Sequence, residues 1–320
     1  MHASARIHRE VVAGINQFQR GGGCIRVHDV QIIAGSVTID GMKVAILGTG
    51  KMGAAVARRL ASQETTVVLW NRTNEKAEGV GVGTVAADAA SAAAEADIIL
   101  SVLTGPAAVR DAYSGANGAL ESVEPGKVFV DLTTGGPANA IWLDEQVRER
   151  GGHFLEAPVM GGPAAIEGGK LMILAGGDAT TLDAAREVLS QLGEIRHIGE
   201  VGSASRLKLI GNSMLAGTSA LAAELQAAGE EIGLSQSDIF WMLQRFAPGL
   251  EMRKAGYLEQ RYRPVSFALK DIVKDIDLAL EIYGPAGAKT PMTELGRGLY
   301  ADVVAEHGDD DMSAINAHFR

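Results

Sequence analysis

Between Met42 and Thr73 the chain reads MKVAILGTGKMGAAVARRLASQETTVVLWNRT, and this stretch constrains the fold more than any other. Val44-Ala45-Ile46-Leu47 is an unbroken apolar run, the pattern of a strand buried on both faces of a parallel sheet. Gly48-Thr49-Gly50-Lys51-Met52-Gly53 follows directly, then a helical stretch over Ala54–Ala61 and a second buried strand over Thr66–Trp70. A G-x-G-x-x-G run is specific only in this strand–turn–helix–strand setting, where it cradles a dinucleotide pyrophosphate. Gly48 permits the turn, Gly50 leaves room for the phosphates, and Gly53 lets helix and strand pack closely. The helix start adds free backbone N–H groups and a positive dipole end.

The end of the second strand bears on which dinucleotide is bound. A carboxylate there would accept hydrogen bonds from a ribose 2′-hydroxyl. Here the residues are Asn71-Arg72-Thr73. No carboxylate is present to repel a 2′-phosphate, and the Arg72 guanidinium offers it a planar fork of donors. NADP(H) is therefore expected, with NAD(H) less favoured.

Downstream the pattern alternates. Strands are expected at Lys43–Leu47, Thr66–Trp70, Asp97–Val102, Lys127–Leu132, His153–Ala157, Leu171–Ala175 and Ile195–Ile198, with helices such as Ala86–Ala96, Ala138–Arg150 and Ala179–Leu192 between them. Such alternation implies an α/β domain: a doubly wound, mostly parallel sheet with helices on both faces, Rossmann-like in kind. Near Gly202 the character changes. Ser203–Ile232 is poor in helix breakers and reads as one helix roughly 45 Å long. After it the chain looks all-helical, over Ser235–Arg245, Pro264–Tyr283 and Thr290–Glu306. The expected organisation is an extension over 1–41, loosely packed, an NADP-binding domain over 42–202 and an all-α domain over 203–320, with the long helix at the seam. The small residues of that helix suggest close helix contact and a homodimer or homotetramer.

In parallel sheets, ligands sit outside the carboxyl ends of the strands. Those ends carry Leu103-Thr104-Gly105-Pro106, Asp131-Leu132-Thr133-Thr134-Gly135-Gly136-Pro137 and Ala157-Pro158-Val159-Met160-Gly161-Gly162-Pro163. Small and hydroxylated residues of this kind expose backbone donors and allow close approach of a ligand. On the seam helix, Lys208 and Asn212 stand one turn apart and share a face. A carbonyl that accepts hydride becomes an alkoxide and needs a proton or a positive donor. An ammonium beside an amide can supply both, and partial burial would bring its pKa down towards the working range.

Taken together, these segments resemble the β-hydroxyacid dehydrogenase family, which includes 3-hydroxyisobutyrate dehydrogenases and NADPH-dependent glyoxylate/succinic semialdehyde reductases, as well as relatives of 6-phosphogluconate dehydrogenase. GTGKMG with WNRT is similar to its NADP-using branch, DLTTGGP to its D-x-S-T segment, and EAPVMGG to its A-P-V-S-G-G loop. GSASRLKLIGN matches its glycine, lysine and asparagine spacing, and FALKDIVKDIDL its later Lys-Asp motif. The resemblance implies reversible hydride transfer between NADP(H) and a short 3-hydroxy acid or its carbonyl form. It places Lys208 as proton donor and Asn212 as its orienting or substrate-binding partner. Thr133, Gly161 and Gly162 would hold the substrate carboxylate, and Phe267 would wall the pocket. Leu103, Thr104 and Thr134 would line the nicotinamide end, with Lys274 closing over the cofactor. The chain departs from the pattern at Thr133, at Met160, where the family has Ser, and at Gly211, often Asn.

An imine substrate is the first alternative, because DLTTGGP is also close to the corresponding segment of imine reductases. A non-catalytic NADP-binding sensor is the second. The net charge of −10 argues against nucleic acid or an anionic membrane as partner. Cys24 is the only cysteine, which fits a cytoplasmic protein without intrachain disulfides. No apolar run is long enough to span a bilayer, and the amino terminus lacks a signal-peptide core. No metal site is expected; His28 and Asp29 are the one pair weighed for such a role, and set aside.

Overall fold

The computed structural model describes residues 30–33, 36–39 and 42–320. The chain divides into two compact units, Met1–Met42 and Lys43–Arg320. In the first, β1 (Val30–Ile33) and β2 (Ser36–Ile39) pair antiparallel, a hairpin outside the strands expected from the sequence. Cys24, His28 and Asp29 lie outside the described residues, as does most of the stretch expected to be loosely packed.

The second unit is built on a nine-stranded sheet. Its strands are β3 (Lys43–Leu47), β4 (Thr66–Trp70), β5 (Thr84–Val85), β6 (Ile98–Ser101), β7 (Val128–Asp131), β8 (His153–Glu156), β9 (Val159–Met160), β10 (Leu171–Gly176) and β11 (Gly193–Gly199). The order is β11-β10-β8-β7-β6-β3-β4-β5, with β9 paired to β10 alone. From β5 to β8 every pairing is parallel. β10 runs antiparallel to β8 and β9. The strand order reverses between β3 and β6, and a crevice opens at such a reversal.

Successive side chains of a strand point to opposite faces. Ala45, Leu47, Val68, Ile99, Phe129 and Phe154 form one core with residues of helices Ala89–Ala94, Pro106–Ser114 and Pro137–Glu149. On the other face, helices Lys51–Ser62 and Ala179–Leu192 pack on the strands and on each other. Sheet and helices are thus disposed as the alternation implied. Element ends moved for local reasons. The helix expected from Ala86 begins at Ala89, because Asp88 and Ser91 form a capping box.

Helix Ser203–Glu231 is the seam. Its first turn docks on the end of β8, where the buried Glu156 carboxylate accepts Ala204 N–H at 2.9 Å and the Ser205 hydroxyl at 2.6 Å. A carboxylate at a helix N-terminus satisfies orphan donors and meets the positive dipole end. Burial still pushes the Glu156 pKa up, against the pull of those hydrogen bonds. Further along, the helix buries Ala216, Ala220 and Ala223 against Tyr257, Ile272, Ile276 and Tyr300. Tyr257 and Tyr300 donate their hydroxyls to the Ser219 and Ala216 carbonyls, at 2.9 and 3.2 Å.

One expected helix starts later than its sequence suggested. Pro264–Ala268 is not helical, and the helix runs Leu269–Tyr283. Asp311, buried and paired with Arg253 at 3.1 Å, accepts the Ser266 and Phe267 N–H groups at 3.0 and 3.1 Å. This long-range anchor holds the segment extended, and no local pattern encodes it. Among the described residues no helix is long and apolar enough to cross a membrane.

Candidate active site

At the carboxyl end of β3 the glycine turn has the form its sequence demands. Gly48 has φ +97°, and a Cβ there would lie 2.4 Å from the Val102 carbonyl oxygen. A Cβ on Gly53 would come within 1.9 Å of the Gly48 carbonyl oxygen. Neither position accepts a side chain without moving backbone. Gly50 differs: a Cβ there meets nothing within 4 Å, so the space above it is open. It is the N-cap of helix Lys51–Ser62 and offers no side-chain cap to the helix amides. Beside it, the buried Thr49 hydroxyl has no hydrogen-bond partner. Open space, free helix amides and an orphan hydroxyl fit the phosphates of a dinucleotide.

The strand-end triplet sits next to this turn. Thr49 N–H donates to Asn71 Oδ1 at 3.1 Å, and Asn71 Nδ2 donates to the Thr73 carbonyl at 2.9 Å. Asn71 therefore ties the two strand ends together. Arg72 is 83% exposed and lies 3.8 Å from Asp111, itself 69% exposed. An ion pair so open to water is weak, and a phosphate can displace it. Lys51 reaches away from the turn and donates to the Val265 carbonyl at 3.3 Å.

Past β6 and β7, hydroxyls and a carboxylate lock the loops to one another. Leu103 N–H donates to Thr133 Oγ1 at 3.0 Å, and Thr133 N–H donates to Asp131 Oδ1 at 3.0 Å. The same carboxylate takes the Ser101 hydroxyl at 2.8 Å, and Ser101 takes the Tyr113 hydroxyl at 2.9 Å. Burial pushes the Asp131 pKa up to about 6, opposed by its bonds from Thr133 and Ser101. Thr133 is buried, and its hydroxyl oxygen is engaged by Leu103 rather than presented outward. Thr104 is exposed, Leu103 and Thr134 half-buried.

The seam helix brings the second half of the site. Lys208 is buried at 8% exposure, and its amine donates to the Val159 carbonyl at 2.7 Å and contacts Met160 Sδ at 3.1 Å. Burial draws its pKa down to about 8; Asp275 acts against that shift and Lys274 with it. Asn212, also buried, turns its amide to Asp275 and not to Lys208. Lys274 donates to the other Asp275 oxygen at 2.6 Å and to the Thr134 carbonyl at 2.9 Å. A Cβ on Gly105 would lie 3.3 Å from the Lys274 side chain, so Lys274 lies over the β6 and β7 ends. Asp275 is the hub of the cluster, joining Asn212, 63 positions away, to its own neighbour Lys274. In the sequence it stands only as half of a Lys-Asp pair, and nothing local marks it as the link.

Gly161, at φ +127°, and Gly162 follow β9, and a Cβ on Gly162 would lie 3.4 Å from the Ser266 hydroxyl. Phe267, next to Ser266, is half-buried and packs against the helical core. Asp275 and Lys274 thus gather Asn212 and the Thr134 carbonyl, while Lys208 is held separately by the Val159 carbonyl and Met160. Met52 lies on the first turn of the glycine-turn helix and is half-buried.

Comparison with known proteins gives consistent results. Residues 43–202 match the NAD-binding domain of 6-phosphogluconate dehydrogenase. Residues 202–319 match the NAD-binding domain of NADP-dependent 3-hydroxyisobutyrate dehydrogenase. The chain is 32% identical to the cytokine-like nuclear factor N-PAC of Xenopus tropicalis, over 94% of its own length and 58% of that protein's. It therefore spans little more than half the length of that relative. It is 30% identical to the chloroplastic glyoxylate/succinic semialdehyde reductase 2 of Arabidopsis thaliana, over 86% of its own length and 78% of that protein's. Among solved structures, a Mycobacterium tuberculosis 3-hydroxyisobutyrate dehydrogenase with L-serine superposes with a TM-score of 0.77 at 28% identity, covering 87% of this chain and 99% of that one.

Proposed function

The chain belongs to the β-hydroxyacid dehydrogenase family, and from that premise we propose that it transfers a hydride between NADP(H) and a short carbonyl compound or 3-hydroxy acid, of the 3-hydroxyisobutyrate, glyoxylate or succinic semialdehyde type. The observation that carries this reading is the Lys208 amine, held beside the strand-end loops at 8% exposure with its pKa drawn to about 8. An ammonium poised near neutral pH gives up its proton to a nascent alkoxide and recovers it when the reaction runs backwards.

The residues divide the work as follows. Gly48 to Gly53 would hold the pyrophosphate through backbone amides, with the Thr49 hydroxyl turned to it. Arg72, flanked by Asn71 and Thr73, would take the 2′-phosphate that distinguishes NADP from NAD. Leu103, Thr104, Thr134 and Lys274 would flank the nicotinamide, which when bound supplies or accepts the hydride. Lys208 protonates the carbonyl oxygen. Asn212 holds Asp275, whose charge favours the ammonium form of Lys208. Gly161 and Gly162 would face the substrate, with Phe267 as wall. Thr133 would act through position, its hydroxyl fixing the Leu103 loop.

In this reading residues 43–202 hold the nucleotide, and 203–320 close the site and join copies of the chain. Leu207, Ile210, Met214, Leu221 and Leu225 expose apolar side chains along the seam helix, with Ile210 at 55% and Met214 at 70% exposure. They recur at helical spacing, as a self-complementary homodimer face would. A cytoplasmic location belongs to the same reading, supported by the single cysteine.

The test is NADPH and NADH consumption on a panel of short aldehydes, oxo acids and cyclic imines, with Lys208→Ala as control. Expected are turnover of carbonyls with NADPH and a loss of about 1,000-fold in kcat in the variant. Turnover unchanged in Lys208→Ala would reject the proton donor. Reduction of imines alone would move the assignment to C=N substrates. Tight NADPH binding without any turnover would make the protein a nucleotide sensor.

A further inference from the structure

We propose that Met160, seated on Gly211, selects within that range for carbonyl compounds bearing an alkyl group on the reacting carbon, and against those bearing a carboxylate there. The inference rests on Lys208 being the proton donor.

Met160 belongs to β9, whose pairing with β10 sets Met160 opposite Met172 and Val159 opposite Ile173. It is therefore held on a sheet edge. Its sulfur lies 3.1 Å from the Lys208 amine. Gly211 follows Lys208 by three positions on the seam helix, so the two share a face. A Cβ on Gly211 would stand 3.4 Å from the Met160 methyl and 3.6 Å from its sulfur. The thioether thus lies along the helix beside the amine, at ordinary contact distance from where a Cβ on Gly211 would stand.

The surface next to the Lys208 amine is therefore a sulfur and a methyl. A thioether accepts hydrogen bonds weakly and donates none. A carboxylate on the reacting carbon needs donors of its own, since the three N–H groups of the Lys208 ammonium go to the Val159 carbonyl, the Met160 sulfur and the reacting oxygen. Three neighbouring side-chain donors are engaged elsewhere. The Asn212 amide is on Asp275, and Lys274 is on Asp275 and the Thr134 carbonyl. Thr133 Oγ1 takes the Leu103 N–H, and its own hydroxyl hydrogen goes to the Asp131 carboxylate, whose pKa that bond lowers. A carboxylate placed against this wall loses its water without gaining a side-chain partner there. An alkyl group gains contact with an adaptable thioether.

The test compares kcat/KM for propanal and glyoxylate, each corrected for hydration, with NADPH and the wild-type, M160S and M160L proteins. Wild type is expected to favour propanal by about tenfold or more, M160L to keep that preference, and M160S to narrow it about tenfold through the glyoxylate KM. A wild-type preference for glyoxylate, or a ratio that M160S leaves unchanged, overturns the proposal. Titration calorimetry of the NADP+-saturated protein with isobutyramide and oxamate, which do not react, reads the same preference without turnover. Isobutyramide is expected to bind more tightly than oxamate in wild type, with the gap closing in M160S. Equal binding of the two ligands in wild type also overturns it. If the binding preference depends on Met160 while no carbonyl is reduced, the apolar wall stands and the dehydrogenase reading alone falls.

Discussion

The two ends of the site are made in opposite ways. The nucleotide end is local: Gly48, Gly50, Gly53 and Arg72 lie within one strand–turn–helix–strand unit, and the decisive contacts are backbone against backbone. It is also open, with free space over Gly50 and Arg72 at 83% exposure. The end around Lys208 is assembled from distant segments. Lys208 meets Val159 across 49 positions, Asn212 meets Asp275 across 63, and Lys274 meets Thr134 across 140. That end is buried, and burial is what moves the Lys208 pKa. An open end can exchange a large charged ligand, whereas a buried end keeps a weak acid tuned. The difference predicts that damage at each end will appear in different measurements.

The largest effect should come from breaking the buried hub. Asp275→Ala leaves Lys274 and Asn212 without their shared partner and should lower stability by about 3 kcal/mol, read as the urea midpoint. A shift no larger than that of an exposed control such as Glu281→Ala would mean that the cluster contributes little to the fold.

Next is Arg72→Ala. Loss of a charge-assisted contact should weaken NADPH binding about tenfold while leaving NADH within twofold, measured by nucleotide fluorescence titration. Equal weakening of both nucleotides would remove Arg72 from the 2′-phosphate site. Stability should not change, because the pair with Asp111 is exposed.

The smallest and most diagnostic effect is in the pH profile. With a Lys208 pKa of about 8, carbonyl reduction needs the ammonium form. Its kcat should be flat below pH 8 and fall about tenfold per unit above it, while alcohol oxidation, which needs the free amine, rises through the same pH. In Asp275→Asn, the negative charge that favours the ammonium is gone, so the break should move to lower pH. A reduction profile that stays flat to pH 10 would contradict the burial of the proton donor.

Much of this was legible beforehand where the physics is local. The β3 and β4 strands fell at their expected limits, because continuous apolar runs flanked by glycine or polar residues fix them. The seam helix runs Ser203–Glu231, close to its expected span, since a breaker-poor stretch propagates. The segment before Leu269 was misjudged, because the Asp311 carboxylate that holds it extended lies 44 positions beyond Phe267. The hairpin of β1 and β2 lies outside the expected strands; it forms a two-stranded sheet of its own, apart from the strand–helix alternation that marks the others.

The same division holds for the site. The sequence alone determined that a glycine turn follows a buried strand, that an arginine replaces the usual carboxylate at the next strand end, and that a lysine and an asparagine share a helix face. Each of these depends on spacing within a few residues, which backbone geometry converts directly into position. Only the tertiary structure decided that Asn212 serves Asp275, that the Thr133 hydroxyl points to Leu103, and that Met160 lies on Gly211 beside the lysine. Those outcomes depend on how the sheet edge and the seam helix meet, and burial and partner choice exist only once the two are packed together.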